Sequence, residues 1–140
     1  MTPTHIALVQ NSFERIRPIL EPAAMMFYDR LFALDPSLRG MFRGDMIEQR
    51  RNLMQMITAA VKGLDRLEQL VPVVQDLGRR HGKYGVQPSH YDTVGAALLW
   101  TLEAGLGRDF TPEVKGAWTA VYTLLATTMK EAAREDLVPA

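Results

Sequence analysis

The sequence predicts an all-α protein, and three observations carry that expectation. Apolar residues recur at intervals of three and four through most of the 140 residues, which places them on one face of successive helices. Proline and glycine mark the joins between these runs, as residues that end or begin helices do. No β-hairpin pattern of alternating apolar residues around a tight-turn dipeptide occurs. About six helices with short connections follow, in one domain over residues 1–140.

Taken in order, Ile6, Val9, Phe13, Ile16 and Leu20 form the first amphipathic stripe, with Pro18 and Pro22 bracketing its end. Ala24, Phe27, Tyr28 and Leu31 share one side of a second helix. It stops near Asp35-Pro36, because a residue before proline is pushed out of the α region. Pro36 then opens a short helical turn ending near Phe42, and Gly40 and Gly44 punctuate the passage to a third helix. On that helix Met46, Gln49, Leu53, Met56, Ile57 and Ala60 share a face, of which Gln49 is the one polar member. After Gly63 a fourth stripe of Leu70, Val73, Val74 and Leu77 leads to His81 and ends at Gly82 and Gly85. Pro88 or Ser89 starts the fifth helix, with Tyr91, Val94, Leu98 and Leu102 inward and Gly105 and Gly107 as its stop. Thr111-Pro112-Glu113 supplies a cap and a proline at the first helical position, and the last helix gathers Trp118, Val121, Tyr122, Leu125 and Met129.

Composition removes several function classes. Sixteen basic against sixteen acidic residues give no net charge, so no global electrostatic attraction favours nucleic acid or an anionic membrane. Cysteine is absent, which excludes disulfides, thiolate metal sites and thiol nucleophiles and fits a cytoplasmic protein. The start of the chain lacks the basic and apolar segments of a signal peptide. No apolar run approaches the roughly 18 residues of a membrane span. Phosphate-loop, nucleophile-elbow, zinc-protease and dinucleotide motifs are also missing; Gly105-Leu106-Gly107 has neither a third glycine nor a preceding strand. The eight methionines read as filler for irregular apolar gaps.

Three polar residues stand out against apolar stripes. Of the three histidines, His5 falls in a terminus expected to fray and His90 at a helix start where water can solvate it. His81 continues the buried face of its helix, while Arg79, Arg80 and Lys83 are expected to point away. A lone imidazole does not make a zinc site, whereas a haem iron brings four ligands of its own. By spacing alone, a partly buried histidine at a helix end is the favoured account of His81. Tyr28 and Gln49 both interrupt apolar faces, and buried donors need partners. A shared polar ligand satisfies both.

The order of several short motifs gives these residues a context. Phe27-Tyr28-Asp29-Arg30-Leu31-Phe32, Phe42 after Pro36, Glu48-Gln49-Arg50-Arg51-Asn52-Leu53, Leu77-Gly78-Arg79-Arg80-His81 with Tyr84-Gly85-Val86, His90-Tyr91-Asp92-Thr93-Val94-Gly95 and Ala117-Trp118 with Tyr122 occur in sequence from about Ile6 to Ala133. Together they resemble the bacterial haemoglobins, both the globin domain of flavohaemoglobins and the single-domain globins near it. The resemblance implies a globin fold around haem, with His81 as proximal iron ligand. It also implies Phe42 packed on the haem, Tyr28 and Gln49 hydrogen-bonding a gas ligand, and Leu53 limiting the distal volume. Tyr84, Val86, Tyr91 and Val94 are the further cofactor-binding positions it implies. Haem b is expected, since thioether attachment needs cysteine. For the His81 N–H facing away from iron, the Leu77 carbonyl one turn back is the expected acceptor.

The resemblance also has departures. Flavohaemoglobins pair the proximal histidine with a tyrosine and a glutamate; Tyr91 matches the former, but Ala133 stands where the glutamate is expected, with Glu131 and Glu135 two residues to either side. The chain ends at Ala140, leaving no length for flavin and nicotinamide domains, so redox turnover calls for an external reductase. Reversible binding of oxygen, nitric oxide and carbon monoxide, for storage or transport, is the leading expectation. Nitric oxide dioxygenation with a separate reductase is the alternative. A sensor is disfavoured because no output domain is attached, and a haem-free helical module leaves Tyr28, Gln49 and His81 unexplained. Arg50, Arg51 and Lys83 are candidate partners for haem propionates.

Overall fold

Side-chain caps fix where most of the helices begin. Thr2 Oγ1 accepts from the His5 amide at 3.2 Å while His5 Nδ1 accepts from the Thr2 amide at 3.2 Å, so the expected fraying at His5 is replaced by a reciprocal cap of α1 (Pro3–Ile16). Asp45 caps α3 (Met46–Lys62) through the Ile47 amide at 2.9 Å. His90 Nδ1 accepts from the Gln87 amide at 2.9 Å at the start of α5 (Pro88–Leu106). Thr111 Oγ1 accepts from Val114 at 3.2 Å at the start of α6 (Pro112–Leu137). Each such cap contributes about 0.5–2 kcal/mol. The remaining helices are α2 (Leu20–Leu34) and α4 (Leu67–Lys83).

The computed structural model describes residues 1–42 and 44–137, and among them no strand occurs. Short 3-10 segments make the connections: Arg17–Ile19, Pro36–Met41, Gly63–Asp65 and Gly107–Asp109. Several expected boundaries move. Leu20 opens α2 instead of closing α1, because Pro18 tolerates a tight 3-10 turn that lets the chain re-enter a helix at once. Gly82 and Gly105 lie inside α4 and α5, and the stop after α5 falls to Gly107, whose φ of +56° favours a residue without a Cβ. Val73, expected on the buried stripe, is 52% exposed; the inward residues of that helix are Leu70, Val74 and Gly78, a spacing of four that leaves Val73 on the flank.

Two apolar clusters form the core. The larger joins α1, α4, α5 and α6 through Phe13, Val74, Leu102, Trp118 and Val121. A buried polar link within it is satisfied: Trp118 Nε1–H donates to Ser12 Oγ at 2.8 Å, and that hydroxyl donates to the Leu8 carbonyl at 2.7 Å. The smaller lies where α2 packs across α5 and holds Phe27, Tyr28, Leu31, Leu38 and Ala97. The most extensive helix pairing is α4 on α6, whereas α3 and α4 scarcely approach one another beyond the turn that joins them. Among the described residues no helix is long and apolar enough to cross a membrane.

Candidate functional site

α3 and α4 scarcely approach one another, and each carries one of the candidate polar residues, Gln49 and His81. On α3, Met46, Gln49, Leu53, Met56, Ile57 and Ala60 are all half-buried, and Val61 is the one fully buried residue of that helix. A predominantly apolar helix face left half-covered lacks a packing partner of its own.

Tyr28 anchors the α2 side. Its ring meets Phe27 edge-on at 5.1 Å and Phe42 edge-on at 5.4 Å, and Phe32 lies 6.0 Å away. Phe32 and Phe42 close the group at 5.5 Å, arrangements each worth about 0.5–1.5 kcal/mol beyond burial. The smaller core cluster brings Tyr28 together with Phe42, Leu53 and Val94. Burial pushes the Tyr28 hydroxyl above its ordinary pKa, opposed by the neighbouring Gln49 side chain and by the charge of Arg50. The phenol therefore stays protonated near neutral pH and remains a donor. Behind Leu53 an apolar cavity of about 40 Å³ extends between Phe27, Ile57, Leu98 and Trp118, away from both Tyr28 and His81.

His81 forms the α4 side. Its Nδ1 lies 2.8 Å from the Leu77 carbonyl, the acceptor expected from helical spacing. A carbonyl only accepts, so Nδ1 carries the proton and Nε2 keeps its lone pair. Burial holds the ring below its ordinary pKa, the Leu77 hydrogen bond opposes this, and the nearby Arg80 charge adds to it. The result is a neutral, oriented imidazole with one nitrogen uncommitted. Arg80 itself is turned outward to Asp76 at 3.3 Å, and Lys83 is exposed, as expected, while Arg79 is half-buried.

The remaining candidates divide. Tyr91 is buried, and burial raises its pKa; Lys130 Nζ sits 5.9 Å over its ring. Val86 is half-buried and its amide donates to the His81 carbonyl at 3.1 Å. Tyr84 is 71% exposed at the end of α4. Arg51 is exposed and lines a surface groove with Leu20, Met54 and Lys62. No group of three or more acidic, histidine or cysteine side chains suited to a metal ion occurs among the described residues. A lone uncommitted imidazole suits a metal that arrives with its other ligands.

Sequence reasoning placed Tyr122 on the apolar face of the last helix but missed the contacts it makes. Its hydroxyl donates to the Tyr91 carbonyl at 2.6 Å and its ring fills the space a Cβ on Gly95 would need, 2.8 Å away.

The model of the family described as globin matches residues 25–129. The chain belongs to the globin family. Among curated relatives, this globin is 29% identical over 136 residues to a neuroglobin of Tetraodon nigroviridis, covering 87% of this chain and 86% of that one. It is 35% identical over 124 residues to the flavohemoprotein of Bacillus subtilis, covering 86% of this chain but 31% of the relative; the match spans about a third of that longer protein. Among solved structures, a hexacoordinated heme protein from an anhydrobiotic tardigrade superposes with a TM-score of 0.85 at 19% identity over 96% of both chains. An engineered carbene transferase from Rhodothermus marinus superposes at 0.87 and 22% identity, over 97% of this chain and 95% of that one. At these identities the two structures establish the globin fold and nothing finer.

Proposed function

We propose that this globin holds haem b without a covalent bond, takes His81 as the protein's axial ligand to iron, and binds oxygen and other diatomic gases reversibly. The observation that carries the reading is the state of the His81 ring: Nδ1 is committed to the Leu77 carbonyl at 2.8 Å and burial keeps the ring neutral, which leaves Nε2 for a Lewis acid. Haem, when bound, would supply the iron that takes up the gas. The chain's residues supply the rest. Tyr28 and Gln49 donate hydrogen bonds toward a ligand that gains negative charge. Phe42, Leu53 and Val94 keep that region apolar, where each donor counts for more than it does in water. To the His81 side we assign Val86, whose amide donates to the His81 carbonyl, Tyr91, and the exposed Tyr84. Arg50 and Lys83 are the cations we assign to the propionates.

Reversible binding is favoured over oxidative chemistry by what surrounds His81. Its N–H meets a backbone carbonyl, a weaker acceptor than a carboxylate. Ala133 lies against Gly82, and a lysine stands over Tyr91. The similarity to flavohemoproteins supports a second reading, nitric oxide dioxygenation, in which nitric oxide, oxygen and one electron combine to nitrate and a separate reductase supplies the electron.

Visible spectra of the purified protein when oxidised, reduced and oxygenated, followed by anaerobic nitric oxide, test both readings. A histidine-ligated haem with a persistent oxygenated spectrum is expected, and failure to take up haem sinks the proposal. Sustained nitrate production on adding a reductase, with a short-lived oxygenated form, favours the second reading.

A further inference from the structure

Gly78 and Gly82 lie one turn apart on α4, three residues before His81 and one after it, and both face α6. A Cβ on Gly78 would fall 2.5 Å from the Met129 Cα and onto the carbonyl of that residue. These are backbone atoms of another helix, with no rotamer by which to move aside. A Cβ on Gly82 would fall 3.1 Å from the Ala133 Cβ. Neither glycine serves a left-handed turn, since the positive-φ glycines are Gly85 and Gly107. Inside a helix each costs roughly 0.5–1 kcal/mol relative to alanine, so close approach is the gain that offsets them.

The α4 and α6 backbones therefore touch at the turn that carries His81. The imidazole cannot adjust independently, because Nδ1 is tied to the carbonyl of Leu77 in the same helix at 2.8 Å. The ring moves as α4 moves. α6 also grips the neighbouring wall, through the Tyr122 hydroxyl on the Tyr91 carbonyl at 2.6 Å. We propose that Gly78 and Gly82 are positioning residues: by letting α4 rest on Met129 and Ala133, they set the depth at which His81 meets its metal. This rests on the axial-ligand reading of His81.

The test moves one methyl group across the interface. In the reduced haem protein without gas, the iron–histidine stretching band is recorded by resonance Raman for Gly82→Ala, Ala133→Gly and the double variant, together with the rate of haem loss. Gly82→Ala is expected to shift the band and to accelerate haem loss on the order of tenfold, the scale of an overpacked contact. The double variant returns both toward the parent values. Gly105→Ala is the structural control, because its Cβ would crowd Ile16 Cδ1 at 2.6 Å where α5 meets α1, outside the α4–α6 contact; it lowers folding stability with the band in place. An unmoved band in Gly82→Ala, or no recovery in the double variant, overturns the proposal. His81→Ala separates the two readings. A histidine band that survives there removes the axial-ligand assignment itself, whereas a band lost there but unmoved in Gly82→Ala overturns the glycine proposal alone.

Discussion

The two sides of the candidate site are built on different principles. On the α2–α3 side, position is set by side chains: four aromatic rings, Phe27, Tyr28, Phe32 and Phe42, pack together, three of their four contacts edge to face, and the α3 face is left half-buried. On the α4–α6 side, position is set by backbone, with glycines admitting a neighbouring helix and the imidazole fastened to its own helix. Side-chain packing adapts by changing rotamers, whereas a backbone contact has no such freedom. One side is thus suited to exchangeable ligands and the other to a fixed one.

The largest effect expected from that contrast is in His81→Ala. Removing the proposed iron ligand should abolish stable haem retention and with it the stability that a ligand binding only the folded state contributes. Spectral titration with haem measures this, and a normal five-coordinate histidine spectrum in the variant refutes the assignment. His90→Ala, whose ring caps α5, should leave the spectrum nearly unchanged.

On the opposite side the effects should be graded. Tyr28→Phe removes a donor held by three rings, and a charge-assisted hydrogen bond of about 1.5–3 kcal/mol corresponds to an oxygen off-rate faster on the order of tenfold to a hundredfold. Gln49→Leu should act in the same direction but less, because a longer side chain loses more rotamer freedom on ordering. Carbon monoxide dissociation, from a ligand with little charge, should hardly change in either. Stopped-flow displacement distinguishes these outcomes; equal off-rates for parent and Tyr28→Phe exclude the hydroxyl from ligand binding.

A pH dependence belongs to the His81 side in the haem-free protein. The folded ring titrates below its ordinary value of 6.5, so beneath that pH the unfolded chain binds a proton that the folded chain does not. The stability of the neutral buried ring is whole above 6.5 and is lost as pH falls toward the depressed folded value. Urea midpoints between pH 7.5 and 5 (roughly the interval in which histidine titrates) should fall less steeply in His81→Leu than in the parent. Identical slopes would mean that the ring is already solvated.

The smallest effect is expected at Tyr122→Phe, which deletes the hydrogen bond to the Tyr91 carbonyl. A loss of about 1 kcal/mol in stability with no change in the oxygen off-rate sharpens the contrast, since it touches only the backbone-defined side. A raised off-rate would instead couple the two sides.

Much of this molecule is local and therefore legible in sequence. Helix periodicity, the Thr111 cap, and the i to i−4 reach from His81 to the Leu77 carbonyl depend on residues within a turn of one another. The order of motifs likewise pointed to the globin family that the family model matches over residues 25–129. Tertiary structure decided what depends on which helix lies alongside. Gly82 reads as a helix stop until α6 is seen against it, Val73 reads as core until α4 is rotated into place, and His5 reads as frayed until Thr2 closes its cap. The Tyr122 bond to Tyr91 spans 31 residues, and no periodicity within either helix encodes it. A sequence states which face of a helix is apolar; how closely two such faces approach is set by the shapes that meet there, and those exist only in the folded chain.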